Sequence, residues 1–322
     1  MKFSAVTPLW QDRPALENIE VAINADRLGF EELWIGEMAT FDAFALATSI
    51  AHQTDNISLT VGPLAVAVRT PMNMAMGVAS VAELGARQVN LALGASSTVV
   101  VEQWHGRQRK HTAQQLEECA QISRGLLAGE KMDFDGEMSS CNGYRLRLPS
   151  HSGQLTIAAF GSSAVHVAAR QADRMVLNMV TPASLMRLKQ QLEEASRQAG
   201  RTPPSVAVWL TVAVDPQRQD YDQLLRAVVG YLAAPGYSEM MAEAGFSELV
   251  QFAKSGPHPR ELLAAMPDEL IAAVGLIGSK SETLTRIDAY RDAGADEICL
   301  VPATASDPGG AKNLQTMRSL SP

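Results

Sequence analysis

Four short stretches carry residue types suited to catalysis or ligand binding. The first is Trp34-Ile35-Gly36-Glu37, an apolar run that delivers a single carboxylate to its end. A carboxylate so placed serves as a general acid or base, or hydrogen-bonds a ring. Its plainer reading is a structural pair with Arg69 or with a backbone donor. The second is Gly94-Ala95-Ser96-Ser97-Thr98, where small residues let a planar or phosphorylated ligand approach the backbone and the hydroxyls can donate to it; a turn of small residues has the same composition. The third is Gly161-Ser162-Ser163, which opens an apolar-periodic stretch. Free N–H groups and the positive dipole end at such a helix start suit an anion, a phosphate above all, although serine also caps helices for purely structural reasons. The fourth is LTVGPLAVAVRTP (59–71), a β-branched strand interrupted by Gly62-Pro63. Proline cannot donate to a sheet ladder, so Pro63 marks a strand end, an edge or a bulge, and an X-Pro bond accepts the cis form at little cost.

Other chemistries lack their anchors. The six histidines, His52, His105, His111, His151, His166 and His258, show no H-x-x-x-H or H-E-x-x-H spacing, so no metal site is expected. Cys119, Cys141 and Cys299 are scattered without C-x-x-C spacing and read as reduced thiols. Neither a G-x-S-x-G elbow nor a P-loop occurs. A net charge of −8 argues against nucleic-acid binding, which needs a basic face. The one cationic cluster, Arg107-Gln108-Arg109-Lys110-His111, reads as a solvated loop leading into a helix over 112–128. No apolar stretch approaches membrane-spanning length, and MKFSAVTPLW lacks the basic-then-apolar pattern of a leader, so a cytoplasmic protein without membrane contact is expected.

The elements that must position these residues follow a repeat. Strand-like runs at 3–7, 32–36, 57–62, 88–94, 155–160, 174–180, 205–214 and 297–301 make eight, and helix-like segments separate them. QVNLALG (88–94) is nearly all apolar, as strands buried on both faces are in parallel sheets. Pro71 opens and Gly85 closes a helix over 71–85. Two interruptions stand out: a hairpin at about 130–153, signalled by Asp135-Gly136 and Asn142-Gly143, and a helix-rich insertion at about 218–273 broken by Pro235-Gly236, Gly245, Gly256-Pro257 and Pro267. Eight strand–helix repeats predict an α/β chain closed as one (β/α)8 TIM barrel over residues 1–322, with the site at the C-terminal strand ends. An open doubly wound sheet is disfavoured because no G-x-G-x-x-G follows the first strand.

In chain order, ADRLGFEELWIGE (25–37), AHQTDNISLTVGPLAVAVRTP (51–71), VASVAELGARQVNLALGASS (78–97), AAFGSSAVHVAARQADRMVL (158–177), the PGY of 235–237 and GLIGSKSETLTRIDAYRDAGADEICLVP (275–302) resemble the luciferase-like monooxygenase superfamily. The closer resemblance is to its branch of oxidoreductases that use the deazaflavin coenzyme F420. It implies a barrel whose third strand bulges at a cis Gly62–Pro63 bond, pressing the backbone of Gly62, Pro63 and Leu64 against the coenzyme ring. It implies a phosphate turn at Gly161, Ser162 and Ser163, with Ala95, Ser96 and Ser97 on the same side. Glu37 matches the family's acidic residue near the ring, and Met38 stands where several members have histidine. Ser97 falls where the deazaflavin sugar-phosphate dehydrogenase has a catalytic glutamate, so a sugar phosphate is disfavoured as substrate. Glu37 and Ser97 are thus the catalytic candidates for hydride transfer between the deazaflavin carbon C5 and a small organic substrate.

Two rivals share the resemblance: an FMN-dependent monooxygenase using reduced flavin and oxygen, and a barrel that binds flavin without catalysis. It also implies a homodimer packed through helices of the early half, with Met72, Met74 and Met76 on the helix over 71–85 either at that interface or in the core.

Overall fold

The computed structural model describes residues 1–149 and 153–320. The described residues form strands β1 (Lys2–Val6), β2 (Glu32–Ile35), β3 (Ser58–Ala65), β4 (Val89–Gly94), β5 (Lys131–Asp135), β6 (Ser140–Arg145), β7 (Leu155–Ala158), β8 (Arg174–Asn178), β9 (Ser205–Val214), β10 (Leu276–Gly278) and β11 (Glu297–Pro302). Eight of them pair in parallel in the order β1-β2-β3-β4-β7-β8-β9-β11, and β11 returns to β1, so the sheet closes on itself. The fold is the expected (β/α)8 barrel, with strand ends within three residues of those read in the sequence. A ninth parallel strand, β10, extends the end of β9 at Val212–Val214. It is too short to leave a periodic signal.

The apolar strands are explained by two buried faces of different character. Outward residues such as Val89, Leu91 and Leu93 pack under the helices in one large cluster. Inward residues are sorted by height. At the N-terminal end lie Ser4, Glu32, Thr60, Asn90, Thr156, Arg174 and Glu297, all buried. Above them is a smaller apolar layer of Val6, Trp34, Ala92, Val176, Ala207, Cys299 and Val301. The C-terminal mouth is lined by glycine, alanine and aromatic residues. The filled interior is a packed core, and in barrels of this kind ligands bind at the C-terminal mouth.

Both expected insertions are present. Antiparallel β5 and β6 make the hairpin, whose turn is held by the buried carboxylate of Glu118 accepting the N–H groups of Glu137, Met138 and Ser139 at 3.1, 2.8 and 2.7 Å. Residues 150–152, at the end of the range read as hairpin, lie outside the described residues. Between β9 and β10 short helices run at Arg218–Val228, Tyr237–Met241, Ser247–Lys254, Pro259–Ala265 and Glu269–Ala273. No helix among the described residues is long and apolar enough to cross a membrane.

Candidate active site

Glu37 follows β2 at the barrel mouth, and both of its structural alternatives are realised together. Arg69 grips it in a bidentate contact, Nε to Oε2 at 2.9 Å and Nη2 to Oε1, while Oε1 also accepts the Ala43 N–H at 3.2 Å. The same guanidinium reaches Asp42, which caps the helix Ala43–Ala51 by accepting from the N–H groups of Phe44 and Ala45. Hydrogen bonding to Glu37, ahead of the opposing burial, raises the pKa of Arg69. Burial pushes the Asp42 carboxyl up, but the Ala45 N–H and Arg69 outweigh it and hold it low. Arg69 thereby ties the ends of β2 and β3 to one helix start. Met38, beside Glu37, is exposed.

Gly62–Pro63 is a cis bond, and the ladder between β3 and β4 slips there: Val61 pairs with Leu91 but Leu64 with Leu93, one extra residue on β3. The strand expected to stop at Gly62 therefore continues to Ala65. Glycine is required at 62, where φ is +120° and a Cβ would stand 2.2 Å from the Ala92 carbonyl oxygen. Across the ladder a Cβ on Gly94 would lie 3.3 Å from Pro63 and 3.5 Å from Ala158. The mouth thus has a shelf of small residues, with Pro63 at its inner edge and Ala95 at its rim. Ser96 is left-handed at φ +56°, and its carbonyl accepts Arg109 Nε at 2.9 Å. Ser97 is exposed; its Oγ accepts the Val100 N–H at 3.2 Å, which leaves its own proton free for a ligand.

On the neighbouring strand end, Gly161 precedes the helix Ser162–Gln171 with no side-chain cap, so the first N–H groups of this helix have no side chain to satisfy them. Gly161, Ser162 and Ser163 are exposed, and nothing lies within 4 Å of where a Gly161 Cβ would be. Since β4 and β7 are ladder neighbours, this open helix start adjoins the Ala95–Ser97 turn. A flat ring on the shelf and a phosphate at the helix start fit these residues: the shelf is built of small residues, and among the described residues the helix start has no side-chain cap.

Several residues at the mouth escaped sequence reasoning. Phe160 stacks on Tyr237 at 4.3 Å between ring centroids, and Tyr231 meets Tyr237 edge-on at 4.7 Å. Gly236 is needed between them, because a Cβ there would come within 2.6 Å of the Phe160 ring. Asn178 Nδ2 donates to the Tyr231 hydroxyl at 3.4 Å, and burial raises the pKa of the Tyr237 phenol. This stack pins the helical insertion over the mouth. Trp209, which meets Trp34 edge-on at 5.6 Å, has a buried indole N–H without a partner among the described residues. Pro235-Gly236 is a visible break in the sequence, but nothing in the order of residues says that it lands on Phe160.

The sequence profile described as luciferase-like monooxygenase matches residues 2–297. The chain belongs to the luciferase-like monooxygenase family. Within the family it is 22% identical over 294 residues to the 5,10-methylenetetrahydromethanopterin reductase of Methanolobus tindarius, covering 88% of this chain and 90% of that one. Among solved structures, the coenzyme F420-dependent tetrahydromethanopterin reductase of Methanopyrus kandleri superposes with a TM-score of 0.83 at 16% identity, covering 99% of this chain and 98% of that one. The oxygenating constituent of 3,6-diketocamphane monooxygenase of Pseudomonas putida, in complex with FMN, superposes with a TM-score of 0.74 at 18% identity, covering 99% and 96%.

Proposed function

We propose that this family member is a coenzyme F420-dependent oxidoreductase acting on a small organic substrate. The observation that carries the reading is the coincidence, on three neighbouring strands, of the bulge at Gly62–Leu64, the shelf at Gly94–Ser97 and the uncapped helix start at Gly161–Ser163. The reductase relative, matched over nine-tenths of its length, supports it. When bound, the deazaflavin supplies a ring carbon, C5, that gives or accepts a hydride. The protein's contribution is to bind, orient and exclude water. The backbone of Gly62, Pro63 and Leu64 backs the ring, Ala95, Ser96 and Ser97 flank it, and the N–H groups after Gly161 take the phosphate with Ser162 and Ser163.

Glu37 is assigned to take up or return the proton that accompanies the hydride, and the free proton of Ser97 to orient the substrate. The stack of Phe160, Tyr231 and Tyr237 shields the mouth. Met38 and Ser97 add no charge there, which suits an uncharged substrate over a sugar phosphate. A homodimer is assigned to the face of the helix Pro71–Gly85 that carries exposed Met76 and Leu84, and the cytoplasm is assigned as its location.

FMN is the second reading, favoured by the likeness to the FMN-bound monooxygenase. Titrating the protein with each cofactor while following fluorescence quenching separates the two. Saturable deazaflavin binding is expected, weakened at least tenfold in Ser162→Asp, where a carboxylate would face the phosphate. Binding of FMN alone would move the protein to the oxygen-using branch; tight binding with no turnover of any substrate would make it a flavin-binding barrel; binding of neither would remove the assignment.

A further inference from the structure

The basic run after β4 is not absorbed by the reading above, and it is not a loose surface loop. After Ser97 the chain makes a π-helical turn, Val99–Trp104, anchored by Val101, which is fully buried. Two backbone bonds close the following reversal, Gly106 N–H to Glu102 O at 3.2 Å and Arg107 N–H to Val101 O at 2.9 Å. Glu102 then accepts the Arg109 N–H at 3.2 Å, and Arg109 folds back so that its Nε bonds the Ser96 carbonyl at 2.9 Å. The left-handed Ser96 points that carbonyl at the guanidinium. A non-glycine residue held in this region needs a surrounding structure that specifies it, and such residues concentrate at functional sites.

The outcome is a cationic rim beside the candidate coenzyme site, with Arg109 as its one anchored side chain among the described residues. Arg109 has its Nη1 and Nη2 groups free of protein partners among the described residues, and neither Arg107 nor Lys110, both exposed, has a carboxylate partner among them. Glu102 is the one acid within the turn, so Arg107, Arg109 and Lys110 leave a net positive charge. In a chain of net charge −8 this is a local exception, placed one strand from the uncapped helix at Gly161. A rim of one anchored guanidinium and two exposed cations beyond a phosphate turn suits a ligand whose negative charge continues past its phosphate. FMN ends at its phosphate. The deazaflavin coenzyme carries a tail of glutamate carboxylates beyond it.

We propose that the loop His105–His111 binds the carboxylate tail of the deazaflavin coenzyme, with Arg109 as the anchored donor and Arg107 and Lys110 as the outer cations. The inference rests on the deazaflavin reading and extends it to the part of the coenzyme remote from the reacting carbon. Carboxylates on guanidinium donors form the stronger, charge-assisted class of hydrogen bond, and the exposed cations add a salt-sensitive attraction.

The test is a fluorescence titration of the whole protein with the coenzyme carrying several tail glutamates and with its phosphate-bearing form lacking them, at low and at high salt. The expected result is binding about tenfold tighter for the tailed form at low salt, a ratio that shrinks at high salt. In Arg107→Ala/Lys110→Ala, whose side chains make no ion pairs among the described residues, the ratio should fall toward one while affinity for the tail-less form stays unchanged. Equal affinity for the two forms in the unmodified protein, or an undiminished ratio in the double variant, would overturn the proposal and leave the coenzyme reading standing. Failure to bind either form would overturn both.

Discussion

Glu37 stands between two roles, and its contacts define how to separate them. Arg69 and the Ala43 N–H occupy most of its accepting capacity, so the carboxylate is oriented firmly, and a general base needs that as much as a structural bracket does. Glu37→Gln keeps the shape but not the charge. If Glu37 handles the proton, turnover with the deazaflavin should fall about 10²-fold or more, with coenzyme affinity unchanged and one limb of the pH–rate profile lost. Arg69→Met removes the bracket while leaving the carboxylate, and should cost thermal stability with a smaller loss of turnover and both limbs retained. Equal losses in the two variants, with the pH profile intact, would reduce Glu37 to a positioning residue. That a carboxylate sits at this mouth was legible from its place after a strand. Its partner across 32 residues of chain was legible only as an alternative, because Arg69 reaches it through the pairing of β2 with β3.

At the scale of elements, the helix Pro71–Gly85 shows what a sequence pattern can and cannot assign. Its ends follow local rules: Thr70 caps by accepting the Asn73 N–H at 3.3 Å, and Pro71 takes the first turn. Its methionines divide by face. Met74 is fully buried and Met72 packs at the edge of the core, while Met76 is 45% and Leu84 61% exposed. Burial thus assigns Met74 to the core, and Met76 and Leu84 are the exposed apolar residues on which the proposed second copy would pack. Met76→Glu/Leu84→Glu should convert a sedimenting dimer to a monomer and change unfolding little, since neither side chain supports the core. A monomer before substitution would remove the dimer, and a variant that stays dimeric would move the interface elsewhere. The bulge was legible for a different reason, since Pro63 in a β-branched run has few places to go. The stack of Phe160, Tyr231 and Tyr237 was not, because it joins β7 to an insertion about seventy residues on through ring geometry alone.

Across the whole molecule, the proposed site and the buried ion network lie at opposite ends of one barrel. The shelf, the open helix start and Glu37 lie at the C-terminal mouth, while the N-terminal floor is closed by an ion network that alternation could not forecast. Arg174 on β8 donates to Glu32 on β2 at 2.7 and 3.0 Å and to Glu297 on β11 at 2.8 Å, under the Trp34 ring at 4.2 Å. These partners lie 142 and 123 residues apart in the chain and meet only because the sheet closes. Burial pushes the Glu32 carboxyl up, but hydrogen bonds and charge from Arg174, aided by Lys2, outweigh it and bring it from 4.5 to about 2. A carboxyl lowered by folding stabilises the native state above its unfolded pKa, so this contribution is present above about pH 4.5 and is lost as pH falls toward 2. Arg174→Met leaves the buried carboxylates without their guanidinium, which should cost about 3–5 kcal/mol at neutral pH. Burial then becomes the dominant influence on Glu32 and pushes it up, since Lys2 at the half-exposed end of the floor is a weaker substitute. The sign of the pH dependence should therefore invert: urea midpoints of the variant should rise as pH is lowered from 7 to 5, where those of the unmodified protein stay level. A variant as stable as the parent at pH 7, losing stability over the same acid range, would show that the floor network contributes nothing to closing the barrel.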